Sequence, residues 1–411
     1  MKVLFCALPQ LTHFYATVPL AWALRTAGHE VRYATSPEFA EAVTDAGLTA
    51  VPVGPADAGD EEEIDEEAPA GLPAPYDLAE TLPGPDGWTE GHAEAFDAMV
   101  TYAFGEFNAP ILADLVALAR SWQPDLVLWE PFTYAGAIAA GACGAAHGRV
   151  LFGTDFLGVT HEWIHAHVPD DRLARWLADT AADHGVPYAE HLRNGHFTVD
   201  QLPAPLRLTS PEIEYVPARY VPYGGPAEVP AWLRETPSRP RVALTLGTSA
   251  TVEYGGYTVR VPDLLTALST MDIEVVATLA GPLPELPDNV RAVPFVPLDA
   301  LAPTCSAAIH HGGFGTMLTF ARHGVPQLTL PHDFDSPLLG RALAGLGAGL
   351  TVAPAQASGR RIRWSVEKLL VDEGIRTAAA GLATGIAAMP SPNDVVARLE
   401  ELTTKHRGGR P

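Results

Sequence analysis

Short apolar runs recur along the chain, each followed by a turn and then a helix-length segment. A run without polar alternation predicts a strand buried on both faces, as in a parallel sheet covered by helices. "KVLFCAL" (2–8) is the first such run. "VPLAWALRTAG" follows as a helix that Gly28 is placed to end, and "HEVRYAT" (29–35) is a second strand. "PDLVLWE" (124–130) and "GRVLFGT" (148–154) are later strands, and "DDRLARWLADTAADHG" is a later helix. Residues 217–240 hold six prolines and little periodicity, and they read as an interdomain linker. A second series then begins. Its strands are "RVALTLGT" (241–248), "IEVVATLA" (273–280), "VRAVPFV" (290–296), "AAIHHG" (307–312), "PQLTLP" (326–331) and "GLTVAP" (349–354).

This alternation predicts an α/β chain of two doubly wound, Rossmann-like domains, over 1–216 and 241–390, joined by the linker 217–240. A C-terminal helix over 391–411 is free to cross back to the first domain. A ligand is expected between the domains, at the C-terminal edges of the strands.

A length of 411 residues fits two cores. The balance of 26 basic against 49 acidic residues, a formal charge of −23, argues against binding nucleic acid or an anionic membrane. No run of eighteen apolar residues is free of breakers, so no membrane span is expected, and "MKVLFCALPQ" reads as a first strand rather than a signal peptide. Cys6, Cys143 and Cys305 are far apart and read as buried thiols in a reducing cytosol, so a cytoplasmic protein is expected. The acidic run 59–71 reads as a solvated loop.

The stretch "AAIHHGGFGT" (307–316) carries the main chemical signal. Adjacent strand residues point to opposite faces, so His310 and His311 are poorly placed to share a metal ion. A strand that runs into a glycine-rich turn and then a helix exposes backbone N–H groups at the helix N-terminus, which suits a phosphate. Thr316 can add a hydroxyl and a histidine an imidazole N–H, so the stretch is read as the holder of a diphosphate. A second motif, "HEWIH" (161–165), satisfies H-E-x-x-H. On that reading His161 and His165 would hold zinc and Glu162 would be the base of a hydrolase.

The C-terminal half resembles the nucleotide-sugar-binding domain of inverting GT-B glycosyltransferases, through "HHGGFGT", "VPQLTLPHDFDSP", "TLGTS" (245–249) and "VPFVPLDALAPTCSAAIHHGG". "VPLAWALRTAGHEVRYATSPE", "PDLVLWEP" and "PSPNDVV" are similar to the actinobacterial members that attach deoxysugars to macrolides and aromatic polyketides. The resemblance implies a dTDP-deoxysugar donor and a lipophilic aglycone. It also implies a haem-monooxygenase-like helper protein; a homodimer stays open. The donor would be held by Thr248 and Ser249 opposite the phosphates, and by backbone around Val296 and Leu298 at the base. His310, His311, Gly312, Gly313, Gly315 and Thr316 would surround the diphosphate, with Asp335 at the sugar hydroxyls. Ser336 replaces the family's usual Gln, a departure that leaves room for a deoxygenated sugar.

Within the resemblance His13 is the general base, in the loop after the first strand. Asp155 and Glu130, both at strand ends, are the candidates to orient it, and Asp155 is assigned with His13 to the catalytic set. No cofactor and no metal are expected, because a helix dipole and N–H donors can neutralise the leaving diphosphate. The alternative readings are a non-catalytic nucleotide-sugar-binding partner and the zinc hydrolase.

Overall fold

The computed structural model describes residues 1–56, 89–247, 256–279 and 285–408. The acidic run 59–71, Thr248 and Ser249 lie outside the described residues.

The first sheet contains β1 (Lys2–Cys6), β2 (Glu30–Thr35), β3 (Ala50–Pro52), β4 (Leu126–Trp129), β5 (Ala146–Val150), β6 (Phe197–Asp200) and β7 (Tyr215–Pro217). Its order is β3-β2-β1-β4-β5-β6-β7, with every pairing parallel. The second sheet contains β8 (Arg241–Thr245), β9 (Glu274–Thr278), β10 (Val290–Val293), β11 (Ala307–His310), β12 (Gln327–Thr329) and β13 (Gly349–Thr351). Its order is β10-β9-β8-β11-β12-β13, again all parallel. The strands are shorter than the apolar runs that announce them. Ala7 and Leu8 are as buried as β1 but lie beyond its paired register, so burial outlasts the hydrogen-bonded ladder.

Each order reverses once. The chain leaves β1 toward β2 and β3, then returns to place β4 on the other side of β1; β8 and β11 repeat this in the second sheet. At such a reversal the flanking loops diverge and leave a crevice at the carboxyl edge.

The last helix, Pro392–His406, packs on the first domain. Ser391 and Asp394 form a reciprocal cap at its start. Val395, Val396, Leu399 and Leu402 join the apolar cluster that contains Val3, Phe14 and Val199. Arg398 pairs with Glu214 at 2.6 Å, and Arg407 pairs with Asp125 at 2.6 Å.

Near the end of this helix four imidazoles cluster. Trp129 donates its indole N–H to His147 Nδ1 (3.1 Å), so the His147 proton sits on Nε2, which faces His191 Nδ1 at 2.8 Å. His196 stacks on His191 with centroids 4.2 Å apart and on His406 at 4.5 Å. Burial pushes all four down, His196 to about 4 and His147 well below the usual range. Repulsion from neighbouring imidazoles adds to this for His147, His191 and His196, as does Lys405 for His196 and His406; a hydrogen bond with the His147 backbone pulls His196 up, and Glu214 pulls His406 up.

The unfolded chain therefore takes up protons near pH 6.5 where the folded cluster stays neutral, so stability contributed here is present above about 6.5 and is lost as pH falls toward about 4. Hydrogen exchange across residues 392–406, corrected for intrinsic rates, is expected to quicken over that window. His196→Phe should flatten the dependence. An unchanged profile in the variant would remove the cluster as its cause.

Candidate active site

The two sheet reversals hold the candidate groups. His13 lies in the first turn of the helix Leu11–Thr26, which follows β1, and Glu130 is the residue after β4. Because β1 and β4 are neighbours, residues 117 apart in sequence meet: His13 Nδ1 is 3.2 Å from Glu130 Oε2. Glu130 has no exposed surface, and His13 is 8% exposed. The carboxylate also accepts the backbone N–H of Leu8 (3.3 Å) and of Phe132 (3.0 Å), and the Thr133 hydroxyl. An ionised carboxylate only accepts, so the neutral imidazole carries its proton on Nδ1 and leaves the Nε2 lone pair free. The other face of His13 lies on Phe152, with centroids 3.9 Å apart.

Asp155, the expected catalytic partner, is built into other bonds. It caps the helix Phe156–His167 by accepting the Gly158 N–H, takes two 2.8 Å bonds from Arg149 and one of 2.7 Å from Tyr215. Arg149 and Asp155 are both buried, so a bidentate cation has claimed the carboxylate. Glu130, the second candidate, is the one beside His13.

In the second sheet β11 ends at His310, and Gly313 opens the helix Phe314–Ala321. The N–H groups of the first helical turn point outward from this end, with no side-chain cap over it. Gly312 sits at φ +95°, a conformation that glycine alone adopts without strain. His310 is fully buried and organises the turn: Nδ1 accepts the Gly312 N–H at 3.0 Å, so its proton on Nε2 faces the Gln327 side chain at 2.7 Å. Burial pushes His310 down to about 3, with His311 adding to the shift. Both of its ring nitrogens are engaged within the protein, and His310 supports the loop.

His311 is wedged between two glycines; a Cβ on Gly247 would come within 2.7 Å of its ring, and one on Gly313 would collide with it. Gly315 faces the Tyr220 hydroxyl, 3.0 Å from where a Cβ would stand. Thr316 is half-buried in the first turn. Val296 is buried beneath this edge, and Leu298 begins a short helix. Phe295 beside them is 54% exposed, an aromatic signal that the sequence reading passed over.

The domains touch through Asp335, whose Oδ2 accepts the Thr154 N–H (2.8 Å) and hydroxyl (3.3 Å). Burial raises the Asp335 carboxyl to about 6 against those two bonds. A Cβ on Gly153 would lie 2.5 Å from Asp335 Oδ2, so a larger residue there would make the carboxylate shift. Below it, Ala16 from the His13 helix shares an apolar cluster with Phe314 and Met317 from the glycine-loop helix.

The "HEWIH" residues do not assemble as ligands. His161 is buried against the Tyr134 hydroxyl (3.1 Å), His165 pairs with Asp171 and Glu190 at the surface, and Glu162 accepts from Asn194. Among the described residues, the three-ligand group within 4.8 Å is His147, His191 and His196. There the Trp129 N–H fixes the His147 proton on the nitrogen that would have to bind the ion, the reverse of the usual arrangement for a ligand histidine.

Comparison with known proteins bears on the whole chain. Residues 22–247 match the N-terminal domain model, and residues 262–402 the C-terminal domain model, of "Erythromycin biosynthesis protein CIII-like". The chain is 44% identical to tylactone mycaminosyltransferase of Streptomyces fradiae, over 100% of this chain and 94% of that protein. It is 42% identical to 10-deoxymethynolide desosaminyltransferase of Streptomyces venezuelae, over 99% and 98% of the two chains. The glycosyltransferase VinC, solved in complex with dTDP, superposes with a TM-score of 0.86 at 37% identity, covering 98% of this chain and 100% of that one.

The two buried carboxylates predict different losses. Asp155→Asn strands the Arg149 guanidinium and should cost about 3–5 kcal/mol in urea denaturation. Glu130→Ala leaves the Leu8 and Phe132 N–H groups unpaired and should cost about 1–3 kcal/mol. An Asp155→Asn protein as stable as the parent would show that its carboxylate is not structural.

Proposed function

Because the chain belongs to the erythromycin biosynthesis protein CIII-like family of GT-B glycosyltransferases, we propose that it moves a deoxysugar from dTDP to a polyketide-type aglycone with inversion, His13 being the base. The single observation that carries this reading is the His13–Glu130 pair, which leaves Nε2 free at the edge of the cleft.

The aglycone hydroxyl attacks the anomeric carbon from the face opposite the diphosphate. Its proton passes to His13 Nε2 as the carbon–oxygen bond to the diphosphate breaks, and dTDP leaves. Glu130 holds the imidazole in the receptive tautomer and stabilises the imidazolium that forms.

On this reading the diphosphate lies at the N-terminus of the helix Phe314–Ala321. The N–H groups of its first turn and the Thr316 hydroxyl meet the charge that develops on the leaving group. Those donors support a metal-independent reaction in a protein whose overall field repels anions. Asp335 is assigned to the sugar. Ser336 donates to the Asp333 carbonyl at 2.6 Å, so its hydroxyl is already engaged. That fits a sugar with fewer hydroxyls to satisfy. The N-terminal resemblance also supports a helper protein, which could raise activity only by binding the active conformation better than the inactive one.

His13→Ala should lower turnover by roughly 10²–10⁴-fold. Its affinity for dTDP, measured by calorimetry, should stay at the parent value, because the diphosphate site is in the other domain. Near-normal turnover by the folded variant would exclude His13 as the base. Gly313→Val should do the converse: the new side chain collides with His311, and dTDP affinity should fall. Undiminished dTDP binding would show that this glycine serves packing only.

A further inference from the structure

A cavity lies beside His13, bounded by Phe132 and Phe152, which pack on its ring, and it is small. Pro131, Phe132, Leu151, Phe152, Phe156 and Phe334 are among the residues around it, and about 10 Å³ remains between them. That is room for roughly one water, whereas sites for small molecules span about 300–1,000 Å³. An aglycone cannot enter unless a wall moves.

Five of these six residues belong to the first domain. Phe132 is anchored by its N–H to Glu130, and Phe156 is buried at the start of a helix. Phe152 is stacked on His13. Phe334 is different: it comes from the second domain, on the loop after β12, and inserts among the three rings. It lies parallel to Phe152 (interplanar angle 10°, centroids 6.3 Å) and edge-on to Phe156 (84°, 5.6 Å), with Phe132 at 6.1 Å. Its backbone sits at φ +54°, in the left-handed region that bulky residues avoid. Strain of this kind persists only while the surroundings enforce it. Here the next residue, Asp335, is latched to Thr154.

We propose that Phe334 is a plug in the acceptor site, standing where an apolar aglycone binds, and that the aglycone enters by displacing it. The proposal rests on the glycosyltransferase reading. Phe132 and Phe152 pack against His13 (centroids 6.0 and 3.9 Å) and also against Phe334 (6.1 and 6.3 Å), so a ring replacing Phe334 is held by the same two side chains that pack on the base. Phe334 and Asp335 are consecutive, so expelling the ring also loosens the Asp335–Thr154 latch and frees the carboxylate for the donor sugar. Phe334 thereby sets which aglycones are admitted and couples their entry to engagement of the sugar. It is a positioning and specificity residue and touches no reacting atom.

The test compares the parent with Phe334→Ala and Phe334→Leu, using tylactone and 10-deoxymethynolide as probes. Calorimetry gives the affinity for each probe and for dTDP. Phe334→Ala should bind the probes at least about tenfold more tightly than the parent, with dTDP affinity unchanged, and Phe334→Leu should restore most of the parent's discrimination. Probe affinity that is unchanged or lower in Phe334→Ala, with dTDP binding intact, overturns the proposal. So does failure of Phe334→Ala to bind either probe, because an emptied apolar pocket must admit them. Turnover by the parent with dTDP-deoxysugars is scored separately, so failure of the glycosyltransferase reading is seen there and is not confused with failure of the plug.

Discussion

A carboxylate without exposed surface is stable only where donors surround it, and Glu130 is such a group. Its donors come from both loops of the first sheet's reversal: Leu8 after β1, and Phe132 and Thr133 after β4. Satisfying one charge thus ties the two loops into a fixed geometry. That geometry aims Glu130 at His13 and fixes the imidazole tautomer. It also sets the backbone of Phe132, and hence one wall of the neighbouring aromatic cavity. The placement of His13 and one wall of the aromatic cavity both depend on one desolvated carboxylate.

The second sheet solves the opposite problem with no charged side chain. Its reversal ends in backbone N–H groups, arranged by a buried neutral histidine and a glycine at positive φ. In a chain of net charge −23, attraction for a diphosphate has to be local. A helix N-terminus supplies a local field of the right sign and needs no counter-ion. Keeping His310 neutral suits this design, since a charged imidazole there would lack a partner.

Contacts between the domains include the Asp335–Thr154 latch, the Phe334 ring among three phenylalanines, and the cluster joining Ala16, Leu202 and Leu206 to Phe314, Met317 and Leu339. At the far end, the helix Pro392–His406 returns to the first domain, so the chain crosses between the domains twice. Rearrangement at the cleft must therefore be accommodated in 217–240 and near residue 390. The histidine cluster under that helix is remote in sequence from the glycine loop, yet each is built on a buried imidazole, His147 in one and His310 in the other.

The sequence already carries the two parallel sheets, because apolar runs without alternation can be buried only on both faces. It also pointed to strand ends for the candidate groups: "HHGGFGT" and the residues around His13 and Glu130 each announce a loop at a carboxyl edge. The choice between Glu130 and Asp155 was beyond it. Both are acids at strand ends, and only the packing shows that Arg149 and Tyr215 have claimed Asp155 while the strand order sets Glu130 against His13. Nor could it distinguish the two histidines of the motif, since burial and the Gly312 N–H, not residue type, make His310 a scaffold. "HEWIH" failed for the same reason: spacing aligns ligands along a helix, but neighbours from Tyr134 to Glu190 decide where each ring goes. Local pattern fixes which residues share an element. Which side chains satisfy one another is fixed by contacts between elements, some of them, as for His13 and Glu130, more than a hundred residues apart, and those exist only once the sheets have assembled.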